Sequence, residues 1–167
     1  MTRALDPIAA LRIFNRHGVR YVVIGGIAGN VLGSPALTFD LDICYDRRRD
    51  NYEPLVRALR ELEATLRGAP AGLPFQLDAR SIEMGDSFTF DTNAGPVDCL
   101  GTPAGTRGYA DLLEHASEED LGDGLRVLIS SIDDLIRMKR AAGRPKDLIA
   151  VEILTAVKEE RERLPTG

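Results

Sequence analysis

The spacing of apolar residues changes period along the chain, and each change predicts an element. Over residues 6–17, Ile8, Leu11 and Phe14 recur at helical spacing. Asp6 stands at the N-cap position, Pro7 suits the first turn, and Gly18 is a C-terminal stop. The β-branched run at 19–24 (VRYVVI) predicts a buried strand, which Gly25-Gly26 ends. A short helix over 27–33 is broken by Gly33-Ser34-Pro35. Strict alternation returns at 38–45 (TFDLDICY), with Phe39, Leu41 and Ile43 on one face and Asp40, Asp42 and Cys44 on the other. Leu55, Leu59, Leu62 and Leu66 make an apolar stripe that predicts a helix over 51–67, opened by a capping box from Asp50 and Glu53.

The second half predicts a loop at 70–74, strands at 75–80, 87–91 and 96–100, and a hairpin turn around Asn93–Gly95. A short helix at 107–116 and a strand at 125–130 follow. Ser131 and Asp134 resemble a capping box opening a helix to about Ala142, which Gly143 stops. Pro145 starts a last helix whose Leu148, Val151, Ile153 and Leu154 are expected to face inward. Strands interleaved with helices imply an α/β or α+β sheet with helices packed on it.

Composition narrows the class. The 167 residues suffice for one domain with a real core. Hydrophobic residues make up 44% and charged residues 28%, which argues against a disordered chain. No apolar run reaches the ~18–20 residues of a membrane span, and the N-terminus has no signal-peptide core, so a cytoplasmic protein is expected. A net charge of −5 disfavours coating of long nucleic acid. Cys44 and Cys99 fall within strand-like runs and read as buried free thiols.

The chemistry-bearing feature is Asp40 with Asp42. Two acids one residue apart on a strand point the same way, with Cα atoms ~6.5–7 Å apart. Held that close in an apolar setting, one tends to protonate unless a cation lies between them. Mg²⁺ suits such a pair, since it takes one or two carboxylates and completes its shell with water and substrate phosphates. Alone, a D-x-D on the solvent face of a strand is commonplace. It gains weight here from the upstream glycine pair and from a third acid, Asp98, in another strand-like run. Glycines between a strand and a helix let backbone N–H groups approach a phosphate, although the same pattern is often only a tight turn. Neither the Gly-Lys-Ser/Thr of a P-loop nor the dinucleotide fingerprint is present.

The run VVIGGIAGNVLGSPALTFDLDI resembles the signature of the nucleotidyltransferase superfamily that includes DNA polymerase beta: a strand, a Gly-Gly or Gly-Ser pair, a spacer, then Asp-x-Asp, with thirteen residues between Gly26 and Asp40. The stretch IDDLIRMKRAAGRPKDLIAVEIL is similar to a small bacterial branch related to abortive-infection and toxin–antitoxin nucleotidyltransferases, in which a lysine helix precedes an Arg-x-Lys-Asp turn. The resemblance covers about residues 19–155 and implies one nucleotidyltransferase-like domain over 1–167, with a mixed sheet and packed helices. It implies Asp40, Asp42 and Asp98 as catalytic carboxylates holding two Mg²⁺ ions when a nucleoside triphosphate is bound. Gly25, Gly26 and Thr38 would contact the phosphates. Lys139 and Lys146 would reach the triphosphate or the acceptor, with Asp147 orienting one of them. A solvated helix end is the plainer reading of that basic cluster. Arg47, Arg48 and Arg49 either face the site entrance or sit in a loop.

The resemblance implies transfer of a nucleoside monophosphate from an NTP to a hydroxyl or phosphate on a tRNA 3′ end, a protein or a small molecule. A toxin with a cognate antitoxin partner is the expected setting. Ile27 replaces a frequent phosphate-binding serine, and Ala36 replaces a frequent arginine. These departures favour the alternative of a catalytically degenerate or antitoxin-like module that binds NTP without turnover. A structural domain with a fortuitous D-x-D is the third reading.

Overall fold

Four consecutive residues, Tyr21–Ile24, are buried on both sides, which makes β1 a central strand. In the computed structural model, which describes residues 3–70 and 75–164, β1 follows α1 (Pro7–Arg16) and leads directly into α2 (Gly25–Leu32). Then come β2 (Leu41–Tyr45), a 3₁₀ turn, α3 (Tyr52–Glu61), β3 (Thr65–Leu66), α4 (Ala79–Met84), β4 (Ser87–Thr92) and β5 (Gly95–Leu100). The chain continues through α5 (Tyr109–Leu113), β6 (Ser117–Asp120), β7 (Arg126–Ile129), α6 (Ile132–Ala142) and α7 (Pro145–Arg163). The strands form one mixed seven-stranded sheet in the order β3-β4-β5-β2-β1-β7-β6.

Register decides which face carries chemistry. β2 runs parallel to β5, pairing Leu41 with Val97, Asp42 with Asp98 and Ile43 with Cys99. Paired residues share a face, so one face gathers Leu41, Ile43, Val97, Cys99 and Phe90, all fully buried. The other face receives both aspartates. Helices α1, α3 and α4 pack together and bring Leu11, Phe14, Leu55, Leu59 and Ile82 to the core. A second group, α2, α6 and α7, packs together beside the acidic end of β2.

Several expectations are corrected. The helix expected over 51–67 stops at Glu61, because Glu63 turns into the left-handed region (φ 54°) and the amide of Ala64 bonds the carbonyl of Leu59. Its stripe still serves the core through Leu62, but Leu66 enters β3. Asp50 does not cap α3: the N-cap is Asn51, and Asp50 pairs with Arg20. No strand forms over 75–80, where Asp78 instead caps α4 by accepting the Ser81 amide at 2.8 Å. Of the loop expected at 70–74, residues 71–74 lie outside the described ones. β2 begins at Leu41, leaving Phe39 exposed rather than inward. Strand β6 (SEED) has no hydrophobic alternation to announce it. In α7, Leu154 is buried but Leu148 is half exposed. No helix among the described residues is long and apolar enough to cross a membrane.

Candidate active site

The parallel pairing of β2 and β5 sets Asp42 beside Asp98 at one strand spacing, ~4.8 Å. Asp40 stands just before β2. One carboxylate oxygen from each of the three lies within 4.8 Å of the other two. Burial pushes the Asp42 carboxyl up to about 8, and the charges of Asp40 and Asp98 add to the rise. Asp98 is also raised by burial, opposed by the nearby Arg67 guanidinium. The Arg67 Nη2 lies 3.0 Å from Asp98 Oδ1 but is not aligned as a hydrogen bond, and among the described residues no other group donates to that buried oxygen. Three crowded carboxyls, one holding its proton near neutrality and one with an undonated oxygen, form an oxygen set that suits a hard divalent cation.

The glycine pair is required by close approach. Gly25 has φ +68°, and a Cβ placed there would come 2.1 Å from Asp42 Oδ2. A Cβ on Gly26 would come 2.5 Å from Thr38 Oγ1. The pair thus lets α2 begin against the carboxylates. Its N-cap is Ile24, and no side chain caps the first turn. The first-turn amides of such a helix have no intrahelical acceptor and favour an anion. Thr38 turns its hydroxyl to its own loop, donating to the Asp40 carbonyl at 3.2 Å and so bracing the backbone at Asp40.

Two depressions meet at Gly25, Asp42, Lys139 and Leu154. One, about 260 Å³, takes in Asp98 and is walled by Leu100, Pro103, Leu135 and Met138. The other, about 370 Å³, takes in Gly26, Thr38, Asp40 and Lys146. Lys139 projects from α6 between them, with Nζ 3.5 Å from Asp147 Oδ1. Asp147 is buried and mainly caps α7: its Oδ2 accepts the Arg144 amide at 3.1 Å and the Arg144 Nε at 2.6 Å. Those bonds with Arg144 hold its carboxyl below the usual range.

The structure therefore gathers Asp40, Asp42, Asp98, Gly25, Gly26, Thr38, Lys139 and Lys146 around one groove, with Asp147 behind Lys139. It does not bring Arg47 or Arg49 there, because they follow the far end of β2 and pair with Asp86 and Glu83. His17 pairs with Glu61, and His115 lies 3.7 Å from Asp134. Cys44, on the aspartates' face by period, is fully buried. Ile27 is packed in the core and Ala36 is exposed, so neither offers a polar side chain to the groove. Arg67 is the residue that sequence reading missed. It falls at the end of the expected helix, and only the following Gly68 hints at a turn there.

No protein-family model matches the chain, and no curated protein matches it in sequence. Among solved structures, it is similar to the crystal structure of the lincosamide antibiotic adenylyltransferase LnuA, lincomycin-bound. The TM-score is 0.60 at 13% identity, covering 93% of this chain and 99% of that one. At that identity the likeness establishes a nucleotidyltransferase-like fold.

Proposed function

We propose that this chain transfers a nucleoside monophosphate from an NTP to an acceptor hydroxyl or phosphate. The observation that carries this reading is the convergence of three carboxylates within 4.8 Å, one with an oxygen lacking a hydrogen-bond donor, beside an uncapped helix N-terminus. Asp40, Asp42 and Asp98 would hold the divalent cations, taken to be two Mg²⁺. Bound there, these would supply charge neutralisation at the phosphates and a lowered pKa at the acceptor hydroxyl.

The chain's own groups have distinct tasks in this reading. The first-turn amides of α2 donate to the distal phosphates in the depression that contains Lys146. Lys139, between the two depressions, adds positive charge where the reacting phosphate lies, and Asp147 holds its ammonium in place. Asp98 lines only the other depression, and in this reading the acceptor binds on that side. Its Leu, Pro and Met walls beside the carboxylates suit a small amphiphilic hydroxyl compound. The similar adenylyltransferase, named for lincosamide antibiotics, supports the same choice. A toxin setting with an antitoxin partner predicts instead that a macromolecule becomes labelled.

A second reading, NTP binding without turnover, is favoured by the buried Ile27 and by Ala36, which add no polar contact. The experiment is label transfer. Protein, Mg²⁺ and each α-labelled NTP are incubated with a cell extract or with a panel of small hydroxylated acceptors, beside the Asp40→Ala/Asp42→Ala variant. The expected result is a labelled small molecule that requires both aspartates. Retention of full activity by the variant refutes the site. Absence of label with intact Mg²⁺·NTP binding selects the degenerate reading.

A further inference from the structure

One row of residues crosses the sheet through the site. Ile24 on β1 pairs with Asp42, Asp42 with Asp98, and Asp98 with Thr89 on β4. Beyond Thr89, the Arg67 amide donates to the Thr89 carbonyl at 2.9 Å, just past the end of β3. The row thus ends in an arginine whose side chain turns back toward the carboxylates. Its Nη2 donates to the Phe90 carbonyl at 2.7 Å and lies 3.0 Å from Asp98 Oδ1, while Nε bonds Asp91 at 3.3 Å. Two of these contacts belong to β4. They tie the guanidinium to the sheet edge, so its charge stays in place whatever Asp98 does.

We propose that Arg67 is a positioning residue that sets the cation affinity of the Asp98 side of the site. The inference rests on the nucleotidyltransferase reading and concerns its metal loading. The triad offers three carboxylates, and Arg67 neutralises one of them. Asp40 and Asp42 therefore present the stronger cation position, and the position that needs Asp98 is weakened by a fixed positive neighbour. Nucleotide phosphates restore the missing negative charge, which makes filling of the Asp98 position depend on the nucleotide. A three-carboxylate cluster without this neighbour would depend less on nucleotide for its second cation. Arg67 thereby discourages a cation from settling against Asp98 before the substrate arrives. A divalent ion and a unit charge about 5 Å apart in a water-like dielectric alter a binding constant about tenfold.

The test uses Mn²⁺ as probe, without nucleotide and at low salt, with free Mn²⁺ followed by its spin-resonance signal. Wild type is compared with R67M, R67Q and R67K. R67Q keeps an N–H donor for the Phe90 carbonyl, which preserves the sheet edge where R67M loosens it, and melting curves confirm folding. The expected result is that R67M and R67Q bind the weaker Mn²⁺ about tenfold more tightly, while R67K, which keeps the charge, stays near wild type. Unchanged or weaker Mn²⁺ binding in both neutral variants overturns the role of Arg67 and leaves the metal reading standing. No Mn²⁺ bound at millimolar concentration by wild type or either neutral variant overturns the metal reading, and this inference with it.

Discussion

Gly25→Ala tests the close packing on which the site depends. The residue sits at φ +68°, where an L side chain costs about 1–2 kcal/mol. The new Cβ would also stand 2.1 Å from Asp42 Oδ2, 2.9 Å from its Cγ and 3.0 Å from its Cβ. Asp42 must leave its rotamer to make room, at about 0.5–1.5 kcal/mol. Together these give a loss of roughly 2–3 kcal/mol, or about 4–12 °C in Tm for a chain of this size. In an Asp42→Ala background the Oδ2 and Cγ clashes vanish, leaving the backbone cost and the Cβ contact. A double-mutant cycle should therefore show a coupling of about 1 kcal/mol, beyond the few tenths expected for independent sites. The assay is urea unfolding of the four proteins without divalent ion, followed by Mn²⁺ titration of wild type and Gly25→Ala. Gly25→Ala should also bind Mn²⁺ more weakly, because its cost includes the displacement of Asp42. Additive effects with Mn²⁺ affinity at the wild-type level would refute the placement of Asp42 against the start of α2.

The remaining predictions concern charge. Asp42 has a folded-state pKa near 8, above its unfolded value, so its ionisation opposes folding; ion-free stability should fall as pH rises from about 4 to 8, and Asp42→Asn should flatten that decline in melts taken across the range. Asp147 is shifted the other way by Arg144, so its stabilisation is present above the ordinary carboxylate pKa and lost as pH falls through the depressed one. Asp147→Asn should thus destabilise the protein at pH 7 and make little difference in strong acid, read by thermal unfolding. Lys146→Ala removes a cation exposed at the Gly26–Asp40 depression; NTP binding should weaken about tenfold or more, the worth of one charge-assisted contact, with the fold unchanged.

The site and the fold were legible to different degrees. Asp42 could be read directly, because a two-residue period puts alternate side chains on one face whatever surrounds the strand, whereas Asp40 stands one residue before β2 and reaches the same place from the loop. The buried character of β1 and the Asp6 and Ser131 caps were equally local. Phe39 misled because alternation has no marker for where pairing begins: pairing of β2 with β5 starts at Leu41, and the residues before it belong to the loop braced by Thr38. Strand β6 was invisible since Ser-Glu-Glu-Asp gains its place from backbone pairing with β7 rather than from burial.

The sequence by itself determined the chemistry on offer: two carboxylates one residue apart, a glycine pair free of Cβ atoms, and a chain with enough apolar residues to form a core. Those are properties of single residues and short periods. Only the tertiary structure decided that Asp98, 56 positions beyond Asp42, stands beside it, because that requires the parallel register of β2 with β5. The same holds for Arg67, whose charge reaches the triad only once helix α3 has ended early and β3 has paired with β4. Long-range register is set by the summed packing of both sheet faces, and no local pattern carries it.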